Sequence, residues 1–93
     1  MAGTRVVDNP SELRYEIWVD DRLAGQIRYT LDGEVVTMVH TEVDPADEGT
    51  GLGAALVAGA LDDVRGQGRR IRPMCPFVAK YIARHPDYAD LVA

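Results

Sequence analysis

The sequence has one cysteine, Cys75, among its 93 residues, which excludes an internal disulfide framework. Long hydrophobic runs are also missing, since the longest, LGAALVAGAL, has about half of the roughly 20 residues that a membrane-spanning helix needs. No basic-then-apolar segment typical of a secretory signal opens the chain, so a cytoplasmic location is expected. His40, His85 and Cys75 lack the spacing of metal ligands, and no metal site is predicted.

The charge balance limits the partners that the chain is expected to bind. A net charge of −5 argues against broad binding of nucleic acid through its phosphates. A locally basic cluster at residues 65–72 suits a small anionic ligand better. With 46% hydrophobic and 27% charged residues, residues 1–93 are expected to form a single globular domain.

The first half of the chain has the alternation of β-strands. Strands are predicted at Arg5 to Val7, Leu13 to Val19, Leu23 to Leu31 and Glu34 to Val43. In the second of these, apolar residues from Leu13 to Val19 alternate with Arg14, Glu16 and Trp18. Short turns, including Asp32-Gly33, join the strands and predict an antiparallel β-meander. The strand that ends at Val43 is expected to be central.

The second half changes to helical periodicity. Apolar residues recur from Leu52 to Val64 until Gly66 and Gly68 end the pattern, which predicts a helix of about four turns. The segment RRIRPMC has room for a short strand, and PFVAKYIARH predicts a second helix with proline in its first turn. PDYADLV is expected to add a last helical turn. The predicted fold class is therefore α+β, a meander followed by α-β-α.

Three glycines at alternate positions precede the long helix, in the segment GTGLG at 49–53. Glycines at a helix start leave backbone N–H groups accessible, and the positive end of the helix attracts phosphate. The alternative is a turn in which glycine only allows close packing of the helix on the sheet. Neither the P-loop nor the dinucleotide-binding pattern fits this spacing.

A predicted strand is followed by a loop close to the form [Q/R]-x-x-G-x-[G/A] and then by a helix. This arrangement resembles the strand, coenzyme A loop and helix of the GCN5-related N-acetyltransferases. The loop here is Glu48 to Gly53. Together with VHTEV at 39–43 and PMCPFVAKYIARHPDYADLV at 73–92, it is similar to the small single-domain branch of that superfamily. The resemblance covers roughly residues 12–92.

The resemblance implies a minimal acetyltransferase fold, in which the strand at 34–43 splays from the strand near 69–75 and acetyl-CoA binds in the opening. The implied ligand contacts fall into three groups. The pyrophosphate would be held by Glu48, Gly49, Thr50, Gly51, Leu52, Gly53 and Ala54. The pantetheine arm would pair with Val39, Thr41 and Val43. Lys80 and Arg84, at i and i+4 on the second helix, could meet the 3′-phosphate, although a solvated surface role is the simpler reading.

Glu48 departs from the family pattern. It stands where Gln or Arg is usual, and a carboxylate beside a pyrophosphate is repulsive by about 1 kcal/mol in exposed geometry. A carboxylate that turns to cap the helix N-terminus would avoid this repulsion.

Three residues are candidates for catalysis by the resemblance and by their chemistry. Cys75 precedes Pro76 at a helix start, where the helix end favours a thiolate, but it could be a small buried hydrophobe. His40 could carry protons, or it could be a core histidine beside Met38 and Val36 on the same strand face. Tyr81 aligns with the tyrosine that protonates the coenzyme A thiolate in larger relatives, or it packs the core.

The leading hypothesis is an acetyl-CoA-dependent N-acetyltransferase that acts on an amine acceptor, either a small molecule or a lysine side chain. A chain this short lacks the helices that build the acceptor wall in larger relatives, so a non-catalytic acyl-CoA-binding module is an alternative. A protein-interaction domain, in which the glycines serve packing alone, is a third reading. Trp18 is either an exposed binding aromatic or part of a second covered sheet face.

Overall fold

The computed structural model describes residues 3–93, which form one five-stranded sheet with two helices packed on it. The strands lie in the order of the chain. The elements are β1 (Thr4–Asn9), β2 (Arg14–Val19), β3 (Arg22–Asp32), β4 (Val35–Val43), α1 (Leu52–Gly66), β5 (Arg70–Pro73) and α2 (Pro76–Arg84), with 3₁₀ helices at Pro45–Asp47 and Pro86–Leu91. The predicted meander followed by α-β-α is confirmed.

The sheet opens between β4 and β5. These two strands pair in parallel only from Val35, opposite Arg70, to Met38, opposite Pro73. The backbone N–H of Cys75 still donates to the carbonyl of Met38 at 2.9 Å, and the chain then leaves the sheet as α2. Among the strands described over residues 3–93, none pairs with the β5-side edge of β4 at residues 39–43, as the predicted splay requires.

The core lies between one face of the sheet and the two helices. We call this face the inner face of the sheet. The apolar stripe predicted for α1 is buried at Leu56, Val57, Ala60, Leu61 and Val64. The sheet contributes Tyr15, Ile17, Ile27, Tyr29, Val36, Met38 and Ile71.

A β-bulge in β4 reverses its alternation. Arg28 pairs with His40 and the next residue, Tyr29, pairs with Met38, so Val39 is the extra residue. Before the bulge, Met38 points into the core. Beyond it, Thr41 is the inner-face residue, because it lies opposite the buried Ile27.

Both helices bury their apolar residues in this one core, so within residues 3–93 no helix packs on the opposite face, which we call the outer face. Two details of the sequence-based prediction for β2 are wrong. Leu13 lies in the preceding turn with a φ of +50° and is exposed, so it does not begin the strand. Glu16, although on the polar side of the alternation, is only 4% exposed.

The carboxylate of Glu16 is compensated by three side-chain donors. It accepts hydrogen bonds from Asn9 Nδ2 at 3.0 Å, Arg14 Nε at 2.6 Å and Trp18 Nε1 at 3.0 Å. Burial alone would raise the pKa of Glu16, but these hydrogen bonds outweigh it and lower the pKa below its usual value. Trp18 is half-buried with Arg5 over its ring, so it belongs to a polar network rather than to an exposed aromatic surface.

None of the helices that the structure describes over residues 3–93 is both long enough and apolar enough to cross a membrane.

Candidate functional site

The site begins at the loop between β4 and α1. Gly49 and Gly51 have φ angles of +78° and +82°, in the left-handed region that glycine adopts without strain. Gly51 is the N-cap of α1, and no side chain caps the helix. Within residues 3–93, the backbone N–H groups of 51–54 have no acceptor. Four donors at the positive end of a 15-residue helix are thus available to an anion.

An ion pair that the sequence analysis did not identify holds this loop to the sheet. Arg22, at the start of β3, donates from both guanidinium nitrogens to Asp47, at 2.8 and 3.1 Å. Asp44 accepts the backbone N–H of Ala46 at 2.9 Å and starts the 3₁₀ turn. The Asp44-Pro45 pair is a recognisable turn signal, whereas the partner Arg22 becomes visible only in the folded chain.

A cavity of about 390 Å³ lies against the loop, and we call it the loop cavity. Eight of the residues assigned to coenzyme A by resemblance line it: Thr41, Val43, Glu48, Gly49, Gly51, Leu52, Gly53 and Ala54. Val39 is exposed on the free edge of β4, and Thr50 turns its hydroxyl to the carbonyl of Asp47. The expected pyrophosphate residues are therefore brought together around one space.

Glu48 does not cap α1. Its side chain is exposed on the wall of the loop cavity, while the cap position belongs to Gly51. The capping alternative for Glu48 is wrong, because the N-cap residue is Gly51 and, within the described residues, no side chain donates to or accepts from the helix start.

A second cavity of about 390 Å³ lies between α1 and α2, and we call it the interhelix cavity. Phe77, Lys80, Tyr81 and Arg84 occupy one face of α2 at helical spacing and line this cavity opposite the alanines of α1. Burial raises the pKa of the Tyr81 phenol, with smaller contributions from nearby carboxylates. The Tyr81 ring stacks on His85 at a centroid distance of 3.9 Å. Two cations and a phenol that stays protonated thus share one groove.

Phe77 lies between the two cavities and borders both. Its ring packs on Gly53, where an added Cβ would come within 2.8 Å of the ring carbon Cζ. Ala54 also borders both cavities, so the boundary between them consists of the Phe77 ring and the first turn of α1.

Cys75 lies beneath the loop cavity and does not line it. It is 3% exposed and belongs to the core cluster, which matches its reading as a small buried residue. Its Sγ lies 3.3 Å from Oγ1 of Thr41, and Thr41 does line the cavity. Thr41 thus connects the buried thiol to the wall of the loop cavity.

His40 lies on the outer face, away from Cys75. The expectation that it shares the face of Met38 and Val36 is wrong, because the bulge at Val39 shifts the alternation by one residue. Its imidazole is exposed, and Nε2 lies 3.0 Å from Oε1 of Glu42. Glu42 is a further site candidate that the sequence analysis missed, and its i, i+2 spacing from His40 on one strand is the signal that could have identified it.

Two of the four arginines in the basic cluster at residues 65–72 hold the C-terminal segment. Arg65 forms an ion pair with Asp90 at 2.8 Å, and Arg70 donates to the carbonyl of Val92 at 3.1 Å. Arg72 donates to Thr37 on the neighbouring strand at 3.4 Å. Among the residues that the structure describes, no group of three or more His, Cys, Asp or Glu is placed to hold a metal ion.

Comparison with solved structures shows the fold. A GCN5-like candidate N-acetyltransferase from Staphylococcus aureus is 22% identical, with a TM-score of 0.71 over 96% of this chain and 87% of that one. The ribosomal-protein-S18-alanine N-acetyltransferase from Escherichia coli is 20% identical, with a TM-score of 0.59 over 69% of this chain and 42% of that one. A candidate acetyltransferase of the GNAT family from Desulfovibrio desulfuricans is 29% identical, with a TM-score of 0.54 over 62% and 40%.

This chain spans less than half of the length of the last two proteins. A search of curated proteins found no match. The family model described as GCN5-related N-acetyltransferase matches residues 14–91, which is most of the sequence. The mixed α+β fold with its opened sheet agrees with these neighbours, and the chain belongs to the GCN5-related N-acetyltransferase family.

Proposed function

We propose that this chain transfers an acetyl group from acetyl-CoA to an amine. The observation that carries the proposal is the set of N–H groups at residues 51–54, which have no acceptor inside the described chain and border the loop cavity. A Cβ on Gly51 would meet nothing within 4 Å, so the space next to this backbone is open. These features fit a pyrophosphate at the helix end.

The remaining residues of the groove fit the rest of the same molecule. The free edge of β4 at residues 39–43 offers backbone donors and acceptors to an amide-containing arm. Lys80 and Arg84 line the interhelix cavity beside Tyr81 and give it positive charge. When bound, acetyl-CoA supplies a thioester whose acetyl carbon accepts the nucleophile.

The transfer forms a bond between the acceptor nitrogen and the acetyl carbon, and it breaks the bond from that carbon to sulfur. A proton leaves the nitrogen, and the departing sulfur takes one up. In this proposal His40 accepts the first proton while Glu42, hydrogen-bonded to it, orients the ring. Tyr81, held protonated by its raised pKa, donates the second. Cys75 supports the groove through Thr41.

Calorimetric titration with acetyl-CoA and with coenzyme A, followed by intact mass of the acetyl-CoA sample, tests the proposal. Saturable binding of both ligands and acetylation of an added amine support it. If neither ligand binds at millimolar concentration, the proposal is wrong. Binding without turnover of any amine would instead support the acyl-CoA-binding module. If the protein acquires an acetyl adduct that is missing in Cys75→Ala, then Cys75 carries the acetyl group covalently and does not merely support the groove.

A further inference from the structure

A row of basic side chains crosses the outer face of the sheet. Strand pairing places Arg14 on β2 opposite Arg28 on β3, and Arg28 opposite His40 on β4. Residues directly opposite on antiparallel strands have Cβ atoms about 4.5–5.5 Å apart, and like charges at this spacing destabilise a sheet. The residues directly opposite Arg28 therefore give its charge no stabilising partner.

The two arginines of the row differ in their partners. The Nε of Arg14 lies 2.6 Å from Oε2 of Glu16, and its side chain is 22% exposed, so its charge is compensated. Arg28 is exposed, and within residues 3–93 its guanidinium contacts no hydrogen-bond or ion-pair acceptor. Glu16 already accepts hydrogen bonds from three donors, whereas Glu42 contacts only His40 and Gln26 and its side chain is 59% exposed. The charge of Arg28 is thus available to an anion from outside the chain.

The row ends at the opening of the sheet. His40 lies two residues beyond Met38, the last residue of β4 that pairs with β5. A shallow cavity of about 420 Å³, lined partly by Gln26 and Glu42, borders the same strand ends. Arg28 and His40 do not line this cavity, but they form the next pair on the outer face beside Gln26 and Glu42, so a small molecule on that face is within reach of Arg28, His40 and Glu42.

We propose that the acceptor is a small aminocarboxylate, whose carboxylate binds Arg28 and whose amine lies at His40. The planar guanidinium holds a carboxylate through two parallel hydrogen bonds. Glu42 provides the opposite charge for an ammonium group before it loses its proton. Because Arg28 and His40 are on adjacent strands, the amine and the carboxylate are separated by only a few bonds. The inference rests on the proposed function, since only acetyl transfer makes the bound molecule an acceptor.

The first test measures binding without coenzyme A, and so does not depend on turnover. Isotope-labelled protein is titrated with glycine, β-alanine and γ-aminobutyrate, and separately with their primary amides, which keep the amine and lose the carboxylate charge. We expect saturable shifts of the backbone resonances of residues 27–29 and 39–41 with at least one acid and none with its amide. Arg28→Gln should weaken that binding about tenfold, the effect of one lost hydrogen bond to a charged group.

Arg5→Gln is the matched control, because it removes the same charge from the same face at the edge strand β1. It should leave the binding of the acid unchanged. Equal binding of acid and amide, equal losses in the two variants, or no binding of any acid would each overturn the inference.

The second test compares kcat/KM for each acid and its amide in a coenzyme A release assay. The kcat/KM for the acid divided by the kcat/KM for its amide should exceed one in the unchanged protein. This ratio should fall about tenfold in Arg28→Gln. A ratio at or below one would contradict the aminocarboxylate assignment while leaving acetyl transfer intact. If acetyl-CoA does not bind, the proposed function fails, and the binding titration alone decides whether Arg28 holds a carboxylate.

Discussion

The ring of Phe77 lies against Gly53 and divides the groove between the helices. A Cβ at residue 53 would meet Cζ of Phe77 at 2.8 Å, and the ring is 46% exposed. Cζ is the far end of a side chain that can rotate toward solvent. A methyl group added at residue 53 can therefore displace the Phe77 ring. It could not displace a backbone atom, or a branched side chain held close to its own strand, in the same way.

A comparison of two glycines in α1 tests this difference. Gly53→Ala should leave the free energy of unfolding nearly unchanged, because alanine gains about 0.5–1 kcal/mol in a helix while Phe77 moves aside. Gly59→Ala should lower it by about 1–3 kcal/mol, because its Cβ would lie 2.7 Å from Cβ of Val6 on β1. Urea unfolding measures both values, and equal losses would show that Phe77 is not free to move.

Gly51→Ala should weaken the binding of coenzyme A. The added Cβ stands beside the N–H groups of 51–54, and we expect the affinity to fall about tenfold, equivalent to one lost hydrogen bond to a charged group. Gly33→Ala is the control, since Gly33 also has a positive φ, of +60°, and open space around it. Both variants should lose similar stability, because alanine is strained in the left-handed region. Equal loss of affinity in both would exclude a specific phosphate contact at Gly51.

Glu16→Gln should destabilise the protein at neutral pH and lose this effect in acid. Removing the charge leaves Arg14 without its partner, which costs about 1–3 kcal/mol. The pKa of Glu16 is lowered in the folded state, so its contribution is complete above the unfolded pKa, near 4.5, and is lost as pH falls through the lower folded value. Denaturant unfolding from pH 7 to pH 3 measures the difference between variant and unchanged protein.

Glu42→Gln is the matched control for Glu16→Gln. Its carboxylate is exposed on the same outer face, and its hydrogen bonds to His40 and Gln26 are solvated. We expect a change of less than about 1 kcal/mol at any of these pH values. A difference between Glu16→Gln and the unchanged protein that does not decrease as pH falls below 4.5 would contradict the role assigned to the ionised carboxylate.

His40→Gln should reduce turnover more than Cys75→Ala does. A general base contributes about 10²–10⁴-fold to rate, so we expect kcat to fall at least a hundredfold with coenzyme A affinity unchanged. Cys75→Ala should mainly lower stability, because Cys75 belongs to the buried core. Steady-state rates are to be measured beside calorimetric affinities. If Cys75→Ala lowers kcat more than His40→Gln does, the reacting group is the thiol of Cys75 and not His40 on the outer face.

Local signals in the sequence were enough to predict the helices, the strands and the glycine-containing loop before α1. The dipeptide Asp32-Gly33 marks the turn between β3 and β4, and the periodicity from Leu52 gives α1 with its buried stripe. The segment of residues 49–53 also indicated the helix end with accessible N–H groups. These features depend on residues that are close together in the sequence. Backbone propensity and the periodicity of apolar side chains are therefore enough to predict them.

The face of His40, the burial of Glu16 and the division of the groove by Phe77 were decided only by the tertiary structure. The alternation of VTMVHTEV places His40 with Met38, but the pairing of β4 with β3 inserts Val39 as an extra residue and turns the imidazole outward. Glu16 is buried because donors from β1 and β2 converge on it. These outcomes depend on contacts between strands and helices distant in the sequence, and no local pattern contains the position of the partner.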